Sequence, residues 1–228
     1  ISSAGSFNIN SNTITGLSST SSSSASVTGI SITGGTTQSI YQNTISSLST
    51  TSTSSAVTAI SISSGTTINI YKNKIYGLAN NSTSFFSAGV VGINIGGGTT
   101  NTVYNNYIGD LTVSTVGISD AIRGIGVSSG SGTVNIYYNT VYLSGTSSGS
   151  GFGSSCIYSN TGPTLVLRNN IFVNLTTPTG SGLAIAYRRN GTTLTSYSST
   201  SNNNLFYAGT PSSTRLIFYD GTNSDRDL

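Results

Sequence analysis

The stretch "SISSGTTINIYKNKIYGL", residues 61–78, nearly repeats an earlier stretch, "SITGGTTQSIYQNTISSL", residues 31–48. Together with the Ile that precedes it, each stretch carries Ile-x-Ile, then Gly-Thr-Thr, then Ile-Tyr-x-Asn-x-Ile and a final Leu. A sequence pattern that returns after about thirty residues is typical of repeat architectures, in which one structural unit is stacked on the next.

Two independent anchors give the same period along the whole chain. The Asn of Asn-x-Ile recurs at intervals of 30 to 34 residues, at Asn12, Asn43, Asn73, Asn106, Asn139, Asn169 and, less cleanly, Asn203. The Ile of the first apolar run recurs at intervals of 28 to 33 residues, at Ile30, Ile60, Ile93, Ile125, Ile157, Ile185 and Ile217. The period therefore predicts about seven units.

Each unit contains two or three short runs in which apolar and polar residues alternate, separated by Gly-Thr-Thr or Asn corners. Runs this short cannot form a free sheet, but each can pair with its counterpart one repeat along the chain, about 4.8 Å away. The prediction is one all-β domain over residues 1–228, a parallel β-solenoid of about seven coils of about 30 residues, roughly 34 Å long. The predicted coils lie near 8–37, 38–67, 68–100, 101–133, 134–163, 164–193 and 194–228.

The composition agrees with an ordered β protein and excludes several classes of function. Charged residues make up 6% of the chain, and Ser and Thr together make up about a third. Strong helix formers are scarce, which argues against long helices. The net charge of +3 comes from too few groups to form the basic surface of a nucleic-acid binder, and no apolar run is long enough to span a membrane.

The repeat unit resembles the parallel β-helix repeat, whose usual form is Gly-Ile-x-Ile, a gap, and Ile-x-x-Asn-x-Ile. In that family the Asn lies at a tight corner and points inward, where it stacks on its neighbours as an asparagine ladder. The resemblance implies this structural role for Asn12, Asn43, Asn73, Asn106, Asn139 and Asn169. It also implies a right-handed helix, in line with the general preference of parallel crossovers.

The tail "NNNLFYAG…RLIFYDGTNSDRDL" resembles the closing coils of very large secreted surface proteins of Bacteroidetes-like bacteria, which use a type IX secretion route. This resemblance implies an extracellular or cell-surface location and a longer parent chain. Neither end of the solenoid carries a recognisable cap, and unpaired strand edges need a cover. We therefore expect flanking domains or further copies of the chain to be its partners.

Tyrosine recurs two residues before the predicted ladder position, at Tyr41, Tyr71, Tyr104 and Tyr137, and Leu167 continues this tyrosine column. If the preceding residues face inward, alternation turns the tyrosines outward. Three interpretations stay open: stacking of rings that stiffens the sheet, a packing surface for another subunit, and a platform for sugars of cell-surface glycans.

Cys156 occupies a position that takes only small residues in the other units, namely Gly29, Ala59, Gly92, Gly124 and Ala184. A catalytic thiol needs a base, and the chain has no His. We therefore predict that Cys156 is a small buried core residue.

Enzymatic activity has little support in the sequence. Hydrolysis of a glycosidic bond needs two placed carboxylates, and a lyase needs several carboxylates that hold Ca²⁺ beside a basic residue. The chain has five Asp and no Glu, and Arg123 near Asp120 is the single weak candidate. The sequence predicts no catalytic residue, no metal and no cofactor.

The expected function is therefore structural: a segment or subunit of a self-assembling extracellular filament, sheath or adhesin stalk. A carbohydrate-binding module that uses the tyrosine column is the first alternative, and a relative of polysaccharide lyases or hydrolases is the second.

Overall fold

Short alternating runs fold into short strands, and the corners between them bring the chain round into the next coil. A computed structural model describes residues 5–82, 89–128 and 130–226, and within these ranges the chain forms strands, turns and bends without a helix. Three long sheets run the length of the solenoid. We call them sheets A, B and C, in the order in which the chain enters them.

Most coils add one strand to each sheet, although the last coil adds none to sheet A, and every pair of neighbouring strands in sheets A and B is parallel. Sheet A contains β1 (Phe7–Asn10), β5 (Thr37–Tyr41), β8 (Thr67–Tyr71), β11 (Thr100–Tyr104), β15 (Thr133–Tyr137) and β18 (Thr164–Arg168). Sheet B contains β2 (Thr13–Thr15), β6 (Thr44–Thr50), β9 (Lys74–Asn80), β12 (Tyr107–Gly109), β16 (Thr140–Thr146), β19 (Ile171–Thr177) and β21 (Leu205–Tyr207), with β3 (Ser18–Ser19) beside β6 and β13 (Leu111–Val113) beside β9.

Sheet C contains β4 (Val27–Thr33), β7 (Val57–Ser64), β10 (Val90–Ile95), β14 (Ile122–Val127), β17 (Ser154–Asn160), β20 (Ala184–Asn190) and β22 (Arg215–Tyr219), followed by β23 (Ser224–Asp225).

The predicted all-β solenoid of about seven coils is confirmed. The period holds because the strands of each inner coil hydrogen-bond to strands in the coils before and after them.

The core is a stack of branched aliphatic side chains. In sheet A, for example, Ile40, Ile70, Val103 and Ile136 lie opposite one another in successive coils, and all four are fully buried. Burial of each such side chain stabilises the fold by about 1.5–3 kcal/mol. Alternation places their neighbours on the outer surface, so the outward residues of each sheet also form columns that run along the solenoid.

The predicted register slips in the last two coils, where aromatic residues replace Ile. Ile157 lies opposite Tyr187, and Tyr187 lies opposite Phe218, so the anchors Ile185 and Ile217 do not continue the column. For the same reason Ala186, and not Ala184, follows Cys156 in the small-residue position. In sheet A, Arg168 and not Leu167 lies opposite Tyr137. The repeat pattern contains no large aromatic residue at an inward position. For this reason the anchors of the last two coils, Ile185 and Ile217, were predicted in the wrong register.

The two ends of the solenoid differ. At the first coil, Ile9, Ile14 and Ile30 line an open groove of about 520 Å³. At the last coil the tail folds back, and β23 pairs antiparallel with β22, so the edge of sheet C is covered there by the chain itself. The expectation that this tail leaves the end without a cap is therefore wrong for sheet C. Tyr187, Tyr197, Phe206 and Phe218 form the apolar layer of that end.

Candidate functional site

The asparagine ladder lies at the corner between sheets A and B. In every coil the residue before the ladder residue has a φ of 54–57°, as at Lys72 (φ 56°) before Asn73 and Asn105 (φ 55°) before Asn106. This left-handed conformation turns the chain sharply and points the next side chain inward. The ladder consists of Asn12, Asn43, Asn73, Asn106, Asn139, Asn170 and Asn204.

Each of the five inner rungs, from Asn43 to Asn170, makes the same three hydrogen bonds. The Nδ2 group and the backbone N–H of Asn73 both donate to Oδ1 of Asn106, at 2.9 and 3.0 Å. Nδ2 of Asn73 also donates to the carbonyl oxygen of Ile40 in the coil before it, at 2.9 Å. Asn73 is 2% exposed, so these bonds satisfy polar groups that water does not reach.

The prediction of a buried ladder is confirmed at Asn43, Asn73, Asn106 and Asn139, and Asn12 forms its solvent-exposed first rung. Asn169 was the wrong residue. It holds the left-handed corner at φ 56°, and Asn170 makes the ladder bonds. The cause lies in the strand that follows, because Phe172 takes the buried position opposite Val141 and turns Ile171 outward.

The tyrosine column lies on the outer surface of sheet A, as alternation predicts. Tyr41 and Tyr71 have ring centroids 4.8 Å apart with an interplanar angle of 3°, and Tyr71 and Tyr104 have centroids 4.7 Å apart with an angle of 7°. The pKa of the Tyr104 hydroxyl is raised above its usual value, mainly by partial burial and to a smaller extent by the neighbouring Tyr71. These three rings form a stack that follows the spacing of the strands.

Tyr137 shares the register of the column but does not continue the ring stack in the same way. Its hydroxyl donates to Oδ1 of Asn135 at 2.9 Å, and the guanidinium of Arg168 lies 5.9 Å from its ring centroid. A sugar needs a free ring face on which to stack, but within this stack the ring faces lie against other rings. The geometry therefore favours stiffening of the sheet or packing by ring edges over a sugar platform.

A second outward surface, on sheet B, was not anticipated from the sequence. Six large apolar side chains have 36–49% of their surface exposed there, and we call them the apolar face: Tyr107, Tyr142, Ile171, Leu175, Leu205 and Tyr207. The strands place them side by side, because Ile171 lies opposite Leu205, and Val173 lies between Tyr142 and Tyr207. The ring of Tyr107 lies across Gly109, where a Cβ would be 2.6 Å from its hydroxyl oxygen.

The apolar face covers coils four to seven, and its outward positions in β16, β19 and β21 carry no charge. The same outward positions in the first coils of sheet B carry Thr13, Thr15, Thr44 and Ser46. A groove of about 520 Å³ adjoins the face between Leu175, Tyr207 and Pro211. At roughly 200 Å² for each large side chain, the six exposed portions amount to about 500 Å² of apolar surface. Patches of this size often mark a contact with another protein.

The carboxylates do not form a free pair. Asp120 accepts hydrogen bonds from Nε of Arg123 at 2.5 Å and from the hydroxyl of Ser155 at 2.7 Å, so both of its oxygens are engaged. Asp110 lies in a left-handed corner between β12 and β13 and is exposed. Within the ranges that the structure describes, no three His, Cys, Asp or Glu side chains come together as a metal site would require.

Cys156 is fully buried in sheet C, and its Sγ lies 4.0 Å from the carbonyl oxygen of Val141. Burial raises the pKa of its thiol well above the usual value, so the reactive thiolate is disfavoured. The equivalent position in the coil before it is Gly124, which is also closely packed, since a Cβ there would lie 2.3 Å from Cγ1 of Val141.

We expect Cys156 to be protected from alkylation in the folded protein. Its thiol reaches solvent only when the coils around it open, so a thiol reagent should react at least about a thousandfold more slowly with native than with denatured protein. The measurement is the rate of thiol labelling with and without guanidinium chloride. A native rate within about tenfold of the denatured rate would show that the thiol is not enclosed.

Comparison of the chain with protein-family models, with curated proteins and with solved structures finds no match. Among the residues that the structure describes, no helix has the length and apolar character needed to cross a membrane.

Proposed function

We propose that this chain is a structural protein, a stiff β-solenoid that serves as a segment or subunit of an extracellular filament, sheath or adhesin stalk. The observation that carries the proposal is the apolar face on sheet B. A sheet face of this kind fits the same face of a second copy, because two sheets pack about 10 Å apart through their outward side chains. The partners are then copies of the same chain.

Size and charge both support self-association through the apolar face. A stable interface buries about 800 Å² on each partner. The face itself supplies roughly 500 Å², and its polar rim, which includes Ser144 and Thr177, supplies further area. No charge on β16, β19 or β21 would be desolvated by such a contact. We therefore propose a reversible association that strengthens when copies are held side by side in a larger assembly.

Stiffness supports the same role. The asparagine ladder ties each coil to the next through buried hydrogen bonds, and the stacked rings of Tyr41, Tyr71 and Tyr104 tie the outer surface of sheet A. Repeated contacts of this type give a rod whose coils resist bending, which suits a stalk or a filament. The location outside the cell rests on the resemblance of the tail to secreted surface proteins.

The two alternatives receive less support from the geometry. A carbohydrate-binding module would need free ring faces, and the tyrosine column turns its faces inward along the stack. A lyase or hydrolase would need free carboxylates, and both oxygens of Asp120 are already hydrogen-bonded. We propose on these grounds that the chain is not an enzyme.

The test of the proposal is the state of the native protein in solution and by electron microscopy. We expect sedimentation velocity to show concentration-dependent species larger than 23.2 kDa, and negative-stain images to show rods associated side by side. A stable 23.2 kDa monomer at micromolar concentration, with no tendency to assemble, contradicts the proposal.

A further inference from the structure

The last coils of sheet C carry a small polar cleft of about 220 Å³ on their outer surface. Most of the protein has few charges, but this cleft gathers several of them. Its lining includes Asp120, Arg123, Tyr158, Arg188, Asn190 and Tyr219. The cleft lies on a different sheet from the apolar face, so its function would be separate from the proposed assembly.

Two guanidinium groups are held in place by tyrosine rings. The guanidinium carbon of Arg123 lies 3.7 Å from the ring centroid of Tyr158, and that of Arg188 lies 5.5 Å from the ring centroid of Tyr219. Because Tyr158 lies opposite Arg188, and Arg188 lies opposite Tyr219, these side chains form one alternating column. Stacking on a ring fixes the plane of a guanidinium and leaves its N–H edge free to bind a ligand.

The arginines keep donors that the protein does not use. Nε of Arg123 donates to Asp120, and Nη1 of Arg188 donates to the carbonyl oxygen of Ser119 at 2.7 Å. Within the described residues, the two Nη groups of Arg123 and the Nε and Nη2 groups of Arg188 donate no hydrogen bond. These donors are therefore available to an anion in the cleft.

The nearby carboxylates do not compete for these donors. Asp120 is shared between Arg123 and Ser155. Asp220 accepts bonds from the N–H groups of Thr222 and Asn223 and from Nδ2 of Asn223, at 2.6–2.9 Å. Burial alone would raise the pKa of Asp220, but these hydrogen bonds outweigh it and lower the pKa below its usual value. Asp220 therefore stays ionised, and both of its oxygens accept hydrogen bonds from Thr222 and Asn223 in its own turn.

We infer that the cleft binds a carboxylate on a small ligand, either a free sugar acid or an acidic sugar residue of a glycan. A planar carboxylate matches the N–H edge of a guanidinium with two parallel hydrogen bonds. The volume is below that of ordinary ligand pockets, about 300–1,000 Å³, so only a group of about one sugar ring enters. The amide oxygen of Asn190, whose Nδ2 group donates to Asn160, can accept a hydrogen bond from a hydroxyl group beside the carboxylate.

An acidic peptide fits the cleft less well. Extended peptides usually bind by adding a strand to a free sheet edge, and both edges of β20 are paired with β17 and β22. One face of Tyr158 and one face of Tyr219 lie against guanidinium groups, so the lining offers little apolar surface to peptide side chains.

The test is an NMR titration of the folded protein with glucuronate, with a glucuronate-containing oligosaccharide, with glucose and with an acidic peptide. We expect both acidic sugars to shift resonances around residues 120–123 and 188–190, and glucose and the peptide to have little effect. Tighter binding of the oligosaccharide than of free glucuronate would identify a glycan as the source, and equal binding would identify the free acid.

Arg188→Gln should weaken acidic-sugar binding at least about tenfold, because a charged hydrogen-bonding partner is lost. The matched control is Arg168→Gln, which removes the same charge from an arginine that lies near a tyrosine ring on sheet A. Unchanged backbone spectra and melting temperatures will establish that both variants are folded. Arg188→Lys is the second variant, and it should recover only part of the affinity, since an ammonium lacks the planar edge.

Three results would overturn the inference: no shift with either acidic sugar, equal shifts with glucose, or equal affinities of Arg188→Gln and Arg168→Gln. Preferential binding of the acidic peptide would overturn the sugar assignment as well.

Discussion

Replacing Asn106 by leucine is expected to lower the free energy of unfolding by at least about 2 kcal/mol. The change leaves two buried donors without a partner, the N–H and one Nδ2 hydrogen of Asn73, and it removes the side-chain hydrogen bond to the carbonyl oxygen of Ile70. Each unsatisfied buried group costs about 1–3 kcal/mol. The measurement is equilibrium unfolding in guanidinium chloride, compared with the unsubstituted protein.

The matched control is Asn69→Leu, an outward position on β8 in the same coil as Asn73. Its side chain makes no ladder bond, so we expect a change within about 0.5 kcal/mol. Asn12→Leu should give an intermediate loss, because Asn12 is exposed at the first rung and receives no bond from an earlier one. Equal midpoints for Asn106→Leu and Asn69→Leu would show that the ladder does not stabilise the fold.

The fold could be predicted from the sequence because each repeat unit carries the same pattern of inward, outward and corner residues. An inward Ile or Val, an outward Tyr and a corner Asn recur together in four successive coils, so the pattern can be recognised from several copies. The left-handed conformation of the residue before each ladder Asn was not predicted, because the pattern placed only the Asn itself at the corner.

Part of the apolar face was missed because of a slip of one residue in coils six and seven, where the predicted anchors Asn169 and Asn203 precede the ladder residues Asn170 and Asn204. With Asn169 as the ladder residue, Ile171 falls at an inward position. With Asn170 in that role, Phe172 is inward and Ile171 is outward. A slip of one residue exchanges the two faces of a strand. Had Phe172 been recognised as the core residue, the outward column of Tyr107, Thr140, Ile171 and Leu205 could have been predicted.

The arginine cleft was missed for a different reason. Tyr158, Arg188 and Tyr219 are about thirty residues apart in sequence, and they come together only through the register of sheet C. The first-strand anchors Ile185 and Ile217 shifted that register in the last two coils, so the column could not be assembled from sequence. Arg123 and Asp120 were noted as neighbours because they lie three residues apart.

Placing two lysines in the centre of the apolar face should separate the copies of the chain. In the double variant Ile171→Lys and Leu205→Lys, the new ammonium groups lie on neighbouring strands at positions that are 45% and 49% exposed. Exposed sites accept lysine with little effect on the fold. In an assembly formed by the same face of two copies, however, like charges meet across the contact, which costs several kcal/mol. We expect the dissociation constant for self-association to rise at least about a hundredfold.

The matched control is Thr13→Lys with Thr44→Lys, which adds the same charge to the same outward column of sheet B in its polar first coils. Sedimentation velocity over a range of concentrations should show the control associating like the unsubstituted protein, while the face variant stays monomeric. Unfolding midpoints of both variants will separate loss of association from loss of folding. If the two variants associate equally well, copies meet through some other surface, and the tyrosine column of sheet A becomes the next one to change.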